Sequence, residues 1–288
     1  MSPEGINNIK RRNITNTVFH GLLFLSTLIG IMFLIVLIAQ ILIKGLGWLD
    51  WDFITNFPSR FPKKAGIKSA LVGTIWVISF TALFSFPLGV GTAIYLEEYS
   101  KKSWYNRLLQ INISNLAGVP SIVYGMLGLA VFVKLFNFER SILSASLTLT
   151  LLILPVIIVA SQEALKSVPN SLKEGSYALG MSKWQTITGV VLPFALPGIL
   201  TGTILALSRA IGEAAPLIMV GAFGYVAFLP KGPMDYFTTL PIQIFNWTSR
   251  PQSEFQNIAA AGIIVLLILL LSANAVAIIL RNKYQKRI

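Results

Sequence analysis

The chain has 288 residues, 55% of them hydrophobic and 12% charged, with a net charge of +12 and a mean hydropathy of +0.72. A soluble domain carries about a quarter of its residues as charges, so this composition belongs to an integral membrane protein. The absence of cysteine and the presence of one histidine exclude disulfide scaffolds, thiolate metal sites, cysteine nucleophiles and multi-histidine metal centres.

The positive balance does not describe a nucleic-acid surface. Most Lys and Arg stand in short clusters at the ends of apolar runs, and no basic face interleaved with aromatics is available to a nucleic acid. Lys10, Arg11 and Arg12 precede the first apolar run, residues 17–43. That run exceeds the roughly 20 residues needed to cross a bilayer. It is too long for a signal-peptide core and no small-residue cleavage site follows, so it reads as an anchor that stays. His20, at its start, reads as an interfacial residue. Residues 44–69 form a polar outer loop whose Trp48, Trp51 and Phe53 suit the interfacial aromatic belt. A second span covers 70–96, with Pro87, Gly89 and Gly91 inside it, and Glu97-Glu98-Tyr99-Ser100-Lys101-Lys102 closes it. A third covers 108–136 and a fourth 141–160. A soluble-looking run follows over 161–183, then a fifth span over 190–220. A loop rich in Pro, Gly and aromatics fills 221–257, a sixth span covers 258–280, and Arg281, Lys283, Lys286 and Arg287 mark the tail. The expected fold class is all-α: a polytopic membrane protein of six transmembrane helices, with no second soluble domain.

Orientation follows from Lys and Arg beside the span ends. With the N-terminus inside, the inner segments hold thirteen such residues and the outer segments nine, Lys44, Arg60, Lys63, Lys64 and Lys68 among the latter. The outer segments are also the longer ones, where the rule is weakest, so both termini are expected in the cytoplasm.

The fifth span carries Arg209 and Glu213 one turn apart. A charge at the centre of a span costs about 2.5–3.5 kcal/mol on insertion scales, so the pair calls for an explanation. At 100° per residue the two share a stripe with Gly198 and Gly202, whose small side invites close approach of another helix. The charged side is therefore expected to face protein or a water-filled path. One reading is a structural ion pair that fixes packing. The other is that Arg209, a planar donor fork of fixed charge, meets an anion while Glu213 orients or releases it. Pro216 cannot donate to the helix ladder, so the span is expected to break there, and transporters build sites at interrupted helices. The third span has its own interruption: Ser114, Gly118, Ser121 and Gly125 make a small-residue stripe beside Asn115, Pro120 and Tyr124. It suits either tight packing around a kink or an anion path lined by Ser121 and freed amides.

Within the inner run, Val168-Pro169-Asn170-Ser171 suits a turn, after which helical pattern continues to a stop at Gly180. The spacing from Glu174-Gly175-Ser176 through Gly180 to Val190, Leu192 and Pro193 resembles the Glu-Ala-Ala motif of permeases of ABC-type importers. Here Gly175-Ser176 replaces Ala-Ala and Val190 replaces Ile. Residues 115–125, 93–99 and 209–216 are similar to the PstA-type subunits of phosphate importers, and the likeness covers about 68–282. The resemblance implies the type I ABC importer permease fold in a bacterial cytoplasmic membrane. It divides the chain into a 1–67 segment with the first span and outer loop, a 68–282 core with a coupling helix at about 168–183, and a basic cytoplasmic tail, 283–288. It also implies that Glu174, Gly175, Ser176, Gly180, Leu192 and Pro193 serve coupling to an ATPase, and that Arg209, with Glu213 in the same motif, serves the substrate pathway, to which the residue reading adds Ser121 and Pro120 as candidates. The implied partners are a homologous PstC-type permease, two PstB-type ATP-binding subunits and a PstS-type phosphate-binding protein outside, with no cofactor held by this chain. No Gly-x-x-x-x-Gly-Lys-Ser/Thr occurs, so ATP would be bound by another chain.

Three function classes stay open from residues alone. An importer permease uses every feature above. A membrane enzyme such as a lipid-phosphate phosphatase needs a nucleophile with a base or a metal cluster, which Glu97, Glu98, Glu163 and one histidine do not supply. A passive anion channel or assembly factor would work without ATP. One arginine does not separate phosphate from sulfate or molybdate.

Overall fold

The computed structural model describes residues 3–100, 103–222 and 224–285, with side chains from residue 12 onward except those of 14, 284 and 285. Lys101, Lys102, Lys286 and Arg287, and the side chains of Lys10 and Arg11, all used in the orientation argument, lie outside this description.

Among the described residues every regular element is helical, apart from one isolated bridge between Ser141 and Tyr236. Helix α1 spans Pro3–Gly45, and short α2, Trp51–Thr55, starts where the Asp50 carboxylate accepts the Phe53 amide at 2.7 Å. Helix α3 covers Lys68–Ile94 and ends in a π-helical turn, Tyr95–Tyr99. Helix α4, Trp104–Leu116, and α5, Ser121–Gly128, are set at 104° to each other. Helix α6, Ile142–Lys166, begins at a Ser141 cap. It is followed by α7, Asn170–Ala178, and α8, Lys183–Thr186. A π turn, Ile187–Val191, leads into α9, Leu192–Gly212, and then come α10, Ala215–Val220, α11, Leu240–Thr248, and α12, Ser253–Gln285.

Among the described residues five helices are long and apolar enough to cross a membrane, or six when the bent α4–α5 pair is counted as one span. Counted so, the expectation of six spans is met, but the third is not one rod. Pro120 forces its predecessor toward extended backbone, and the chain turns through 117–120 before α5 starts. The fifth span begins earlier than expected, at Lys183, since α8, the π turn and α9 run on as one apolar unit. That π turn is a consequence of Pro193. Proline has no N–H for the carbonyl four residues back, and the Leu192 amide reaches back five residues to Ile187 instead.

Helix α6 is the centre: two thirds of its most apolar stretch is buried, against α3 on one side and α9 on another. Hydroxyls stitch α3 to α6. Ser146 Oγ donates to its own helix at Ile142 (2.8 Å) and lies 3.1 Å from the Val77 carbonyl of α3. Such groups return their hydrogen bonds to backbone and let the helices approach closely. On the α9 side, a Cβ on Gly198 would come within 2.8 Å of the Ala164 Cβ, and Gly202 stands against Ala160. The Gly198/Gly202 stripe read from the sequence therefore faces α6.

Helix α12 runs antiparallel along α9 with two polar rungs. Ser208 Oγ donates to Asn274 Oδ1 at 2.6 Å, and Arg281 donates to Thr201 Oγ1 at 3.1 Å. Both partners shift by seven residues, the repeat of two packed helices. At one end, the two long segments 44–69 and 221–257, expected to lie outside, close into a cap: Phe53, Ile67, Leu240, Trp247, Phe255 and Ile258 form a second core. The most apolar stretch of α1 is exposed throughout, and near its end Gly45 permits close approach to Ala260 and Ala261 of α12.

Candidate functional site

The charged turn sits at the end of α9. Arg209 Nε donates to Glu213 Oε1 at 3.2 Å, with the Arg209 side chain 45% exposed and that of Glu213 18%. Glu213 is not helical: its backbone is extended (φ −80, ψ 118) and its amide bonds to Ala210. The break expected at Pro216 thus falls just before it, at Glu213–Ala214. The proline ring would meet the carbonyl of residue 212, so the ladder ends there and Pro216 is accommodated in the first turn of α10. The helical-wheel position of Glu213 is superseded, although its contact with Arg209 persists. Arg209 lies on the rim of α9, beside the buried Ala206 and Ala210, with an open side.

The second interruption packs against the first. A Cβ on Gly125 of α5 would stand 2.7 Å from Pro216 Cα and 2.8 Å from its carbonyl oxygen, so only glycine allows this crossing. The buried Tyr124 braces the bend: its hydroxyl donates to the Leu116 carbonyl at 2.8 Å, across 117–120. Pro120, exposed, is the residue before α5, and Ser121, half-buried, is the first residue in it. Two broken spans therefore meet at Gly125–Pro216, with the Arg209–Glu213 pair beside the crossing.

The coupling-motif residues lie elsewhere, divided between α7 and the start of α9. Glu174 and Gly175 are exposed on α7, and a Cβ at Gly175 meets nothing within 4 Å, so the alanine of the family motif would fit. Ser176 is buried and returns its hydroxyl to Leu172 at 2.8 Å. Gly180 ends the helix in left-handed backbone (φ +81), and Ser182 opens α8 with a reciprocal capping box to Gln185. Leu192 is half-buried, and Pro193 is exposed at the head of α9. Around α7, Leu172, Tyr177, Leu179 and Trp184 leave an apolar surface open, 85% exposed at Leu179.

Sequence reasoning treated Glu97 and Glu98 as the close of a span and as acids too few for an enzyme, not as partners of the 162–183 segment, and missed the Ser208–Asn274 rung. Glu98 takes Lys173 at 2.6 Å, and Glu97 accepts from Gln162 at 2.9 Å. The available signal was acid directly at a span end opposite a lysine-bearing run.

Residues 85–288 match the family described as the binding-protein-dependent transport system inner membrane component. The chain belongs to that family. Among permeases similar to this one is the probable ABC transporter permease protein YqgI of Bacillus subtilis, 34% identical over 92% of this chain and 95% of its own. Phosphate transport system permease protein PstA 1 of Mycobacterium tuberculosis is 32% identical over 94% and 90% of the two chains. PstA of Haemophilus influenzae is 30% identical over 91% and 92%. Among solved structures, the bacterial alginate ABC transporter superposes with a TM-score of 0.67 at 15% identity, covering 94% of each chain. The MetNI methionine ABC transporter gives 0.59 at 19%, covering 76% of this permease and 94% of that chain. The fold is the type I permease fold of ABC importers, in a multi-pass membrane protein.

Proposed function

We propose that this permease is the transmembrane subunit of an ATP-driven inorganic phosphate importer and forms half of the pathway. The observation that carries the proposal is the half-exposed Arg209–Glu213 pair at a break in α9, beside the point where α5 crosses α10. A guanidinium held by one acidic oxygen through Nε keeps its terminal fork outside that bond, a geometry suited to an oxyanion in passage. The phosphate permeases named among the relatives support phosphate over sulfate or molybdate. The other half of the path belongs to a PstC-type permease. Two PstB-type ATPases bind the apolar surface around α7, where Glu174, Gly175, Ser176 and Gly180 shape the helix and Leu192-Pro193 connects it to α9. A PstS-type phosphate-binding protein docks on the outer cap formed by 44–69 and 221–257. With six spans both termini lie on one side, and docking of the ATPases at α7 would make that side the cytoplasm. ATP is bound by those ATPases, and this chain holds no cofactor.

The test is ATP-dependent uptake into vesicles carrying the assembled complex, comparing labelled phosphate with labelled sulfate. Phosphate uptake alone is expected. Arg209→Gln should abolish it with the complex still assembled. Equal uptake of both anions overturns the phosphate assignment, and normal uptake by Arg209→Gln removes Arg209 from the path.

A further inference from the structure

The inner end of α3 is wound wide over Tyr95–Tyr99, and three consecutive residues there each hold a different part of the 162–183 segment. Glu97 accepts from the buried Gln162 Nε2 at 2.9 Å and lies 3.7 Å from Lys166 Nζ. Glu98 takes Lys173 Nζ of α7 at 2.6 Å, with the two side chains only 8% and 21% exposed. The Tyr99 ring lies 4.9 Å from Lys183 Nζ at the start of α8. A normal α-helical end would direct three successive side chains around its circumference. π turns recur at functional positions, and here the turn sets all three against one cytoplasmic segment. Beside it opens a cavity of about 610 Å³ that Leu96, Glu97 and Ser100 help line, so the turn is not packed in on that side.

The consequence is mechanical. Along the chain, α7 is linked to α6 before it and to α8 and α9 after it. The clasp adds α3, which hydroxyls already bind to α6. A push on α7 therefore reaches three spans together. We infer that Glu97-Glu98-Tyr99 is the clasp that delivers load from α7 to the α3–α6 pair, with Glu98 the positioning residue of coupling. This rests on the reading of α7 as the ATPase dock.

The experiment uses the full complex in proteoliposomes and measures labelled phosphate moved per ATP hydrolysed. Glu98→Gln and Lys173→Gln should each lower that ratio about tenfold, the upper part of the range for mutations along a coupling network. The ATPase should still co-purify with Glu98→Gln, since Glu98 faces inward. Exchanging the charges, Glu98→Lys with Lys173→Glu, should restore most of the ratio, which loss of folded protein would not allow. A wild-type ratio in Glu98→Gln overturns the clasp and leaves the docking reading intact. Failure of the unmodified chain to co-purify with an ATPase overturns both. Should Glu98→Gln not accumulate in the membrane, the exchanged pair decides: recovery supports the clasp, and a ratio still reduced tenfold refutes it.

Discussion

Arg209 and Glu213 form a pair that is weak by construction. Half-exposed ion pairs contribute about 0–1 kcal/mol, so an arriving anion has little to displace. Passage needs a site that attracts without trapping, and on the proposed path Glu213 would supply the competing carboxylate that takes the guanidinium back. Glu213→Gln removes the competitor and leaves the fork. The expected outcome is tighter but slower transport: the half-saturating phosphate concentration falls by up to about fivefold, the equivalent of roughly 1 kcal/mol, and the maximal rate falls with it. Initial uptake rates across a phosphate series measure both. Two unchanged parameters would leave Glu213 a packing residue, the bland alternative that its sequence position also allowed.

Two glycines carry different burdens at the scale of the elements. Gly125 is a contact glycine, because a methyl there would drive into Pro216 backbone that cannot swing aside as a side-chain tip can. Gly125→Ala should destabilise the crossing by about 1–3 kcal/mol, the cost of overpacking, and lower uptake. Gly91→Ala, where nothing lies within 4 Å of the added Cβ, should do neither in the same uptake and melting assays. Gly180 is a conformational glycine, open around its Cβ position but held at φ +81. An alanine there costs about 1–2 kcal/mol of backbone strain, whereas asparagine tolerates the left-handed region. Gly180→Ala should reduce the ATPase recovered with the complex and Gly180→Asn should retain it. Equal recovery from both would separate the turn from docking.

Across the whole molecule, the parts legible in the sequence were those set by local composition. Apolar runs gave six spans, prolines gave two interruptions, and the Gly198/Gly202 spacing gave a helix contact, because each depends on residues close in the chain. The meeting of Gly125 with Pro216 depends on segments some ninety residues apart, which periodicity does not connect. The same holds for Glu98 and Lys173, whose attraction becomes visible only when α3 and α7 are placed together. The outer cap shows it most plainly. Residues 44–69 and 221–257 each read as a loop, yet they fold on one another around Trp247, which is fully buried and tilted against Phe53 at 5.9 Å. If α7 is the dock proposed above, packing and docking are separable, and two tryptophans distinguish them. Trp247→Ala empties a packed site, at a cost of about 3–5 kcal/mol, and should lower the melting temperature of the solubilised complex. Trp184→Ala removes a side chain that is 64% exposed beside α7, so it should leave melting unchanged and reduce ATPase recovery in a pull-down. If Trp184→Ala instead lowers the melting temperature as Trp247→Ala does, its ring belongs to the packing of this chain and the apolar surface around α7 must be redrawn without it.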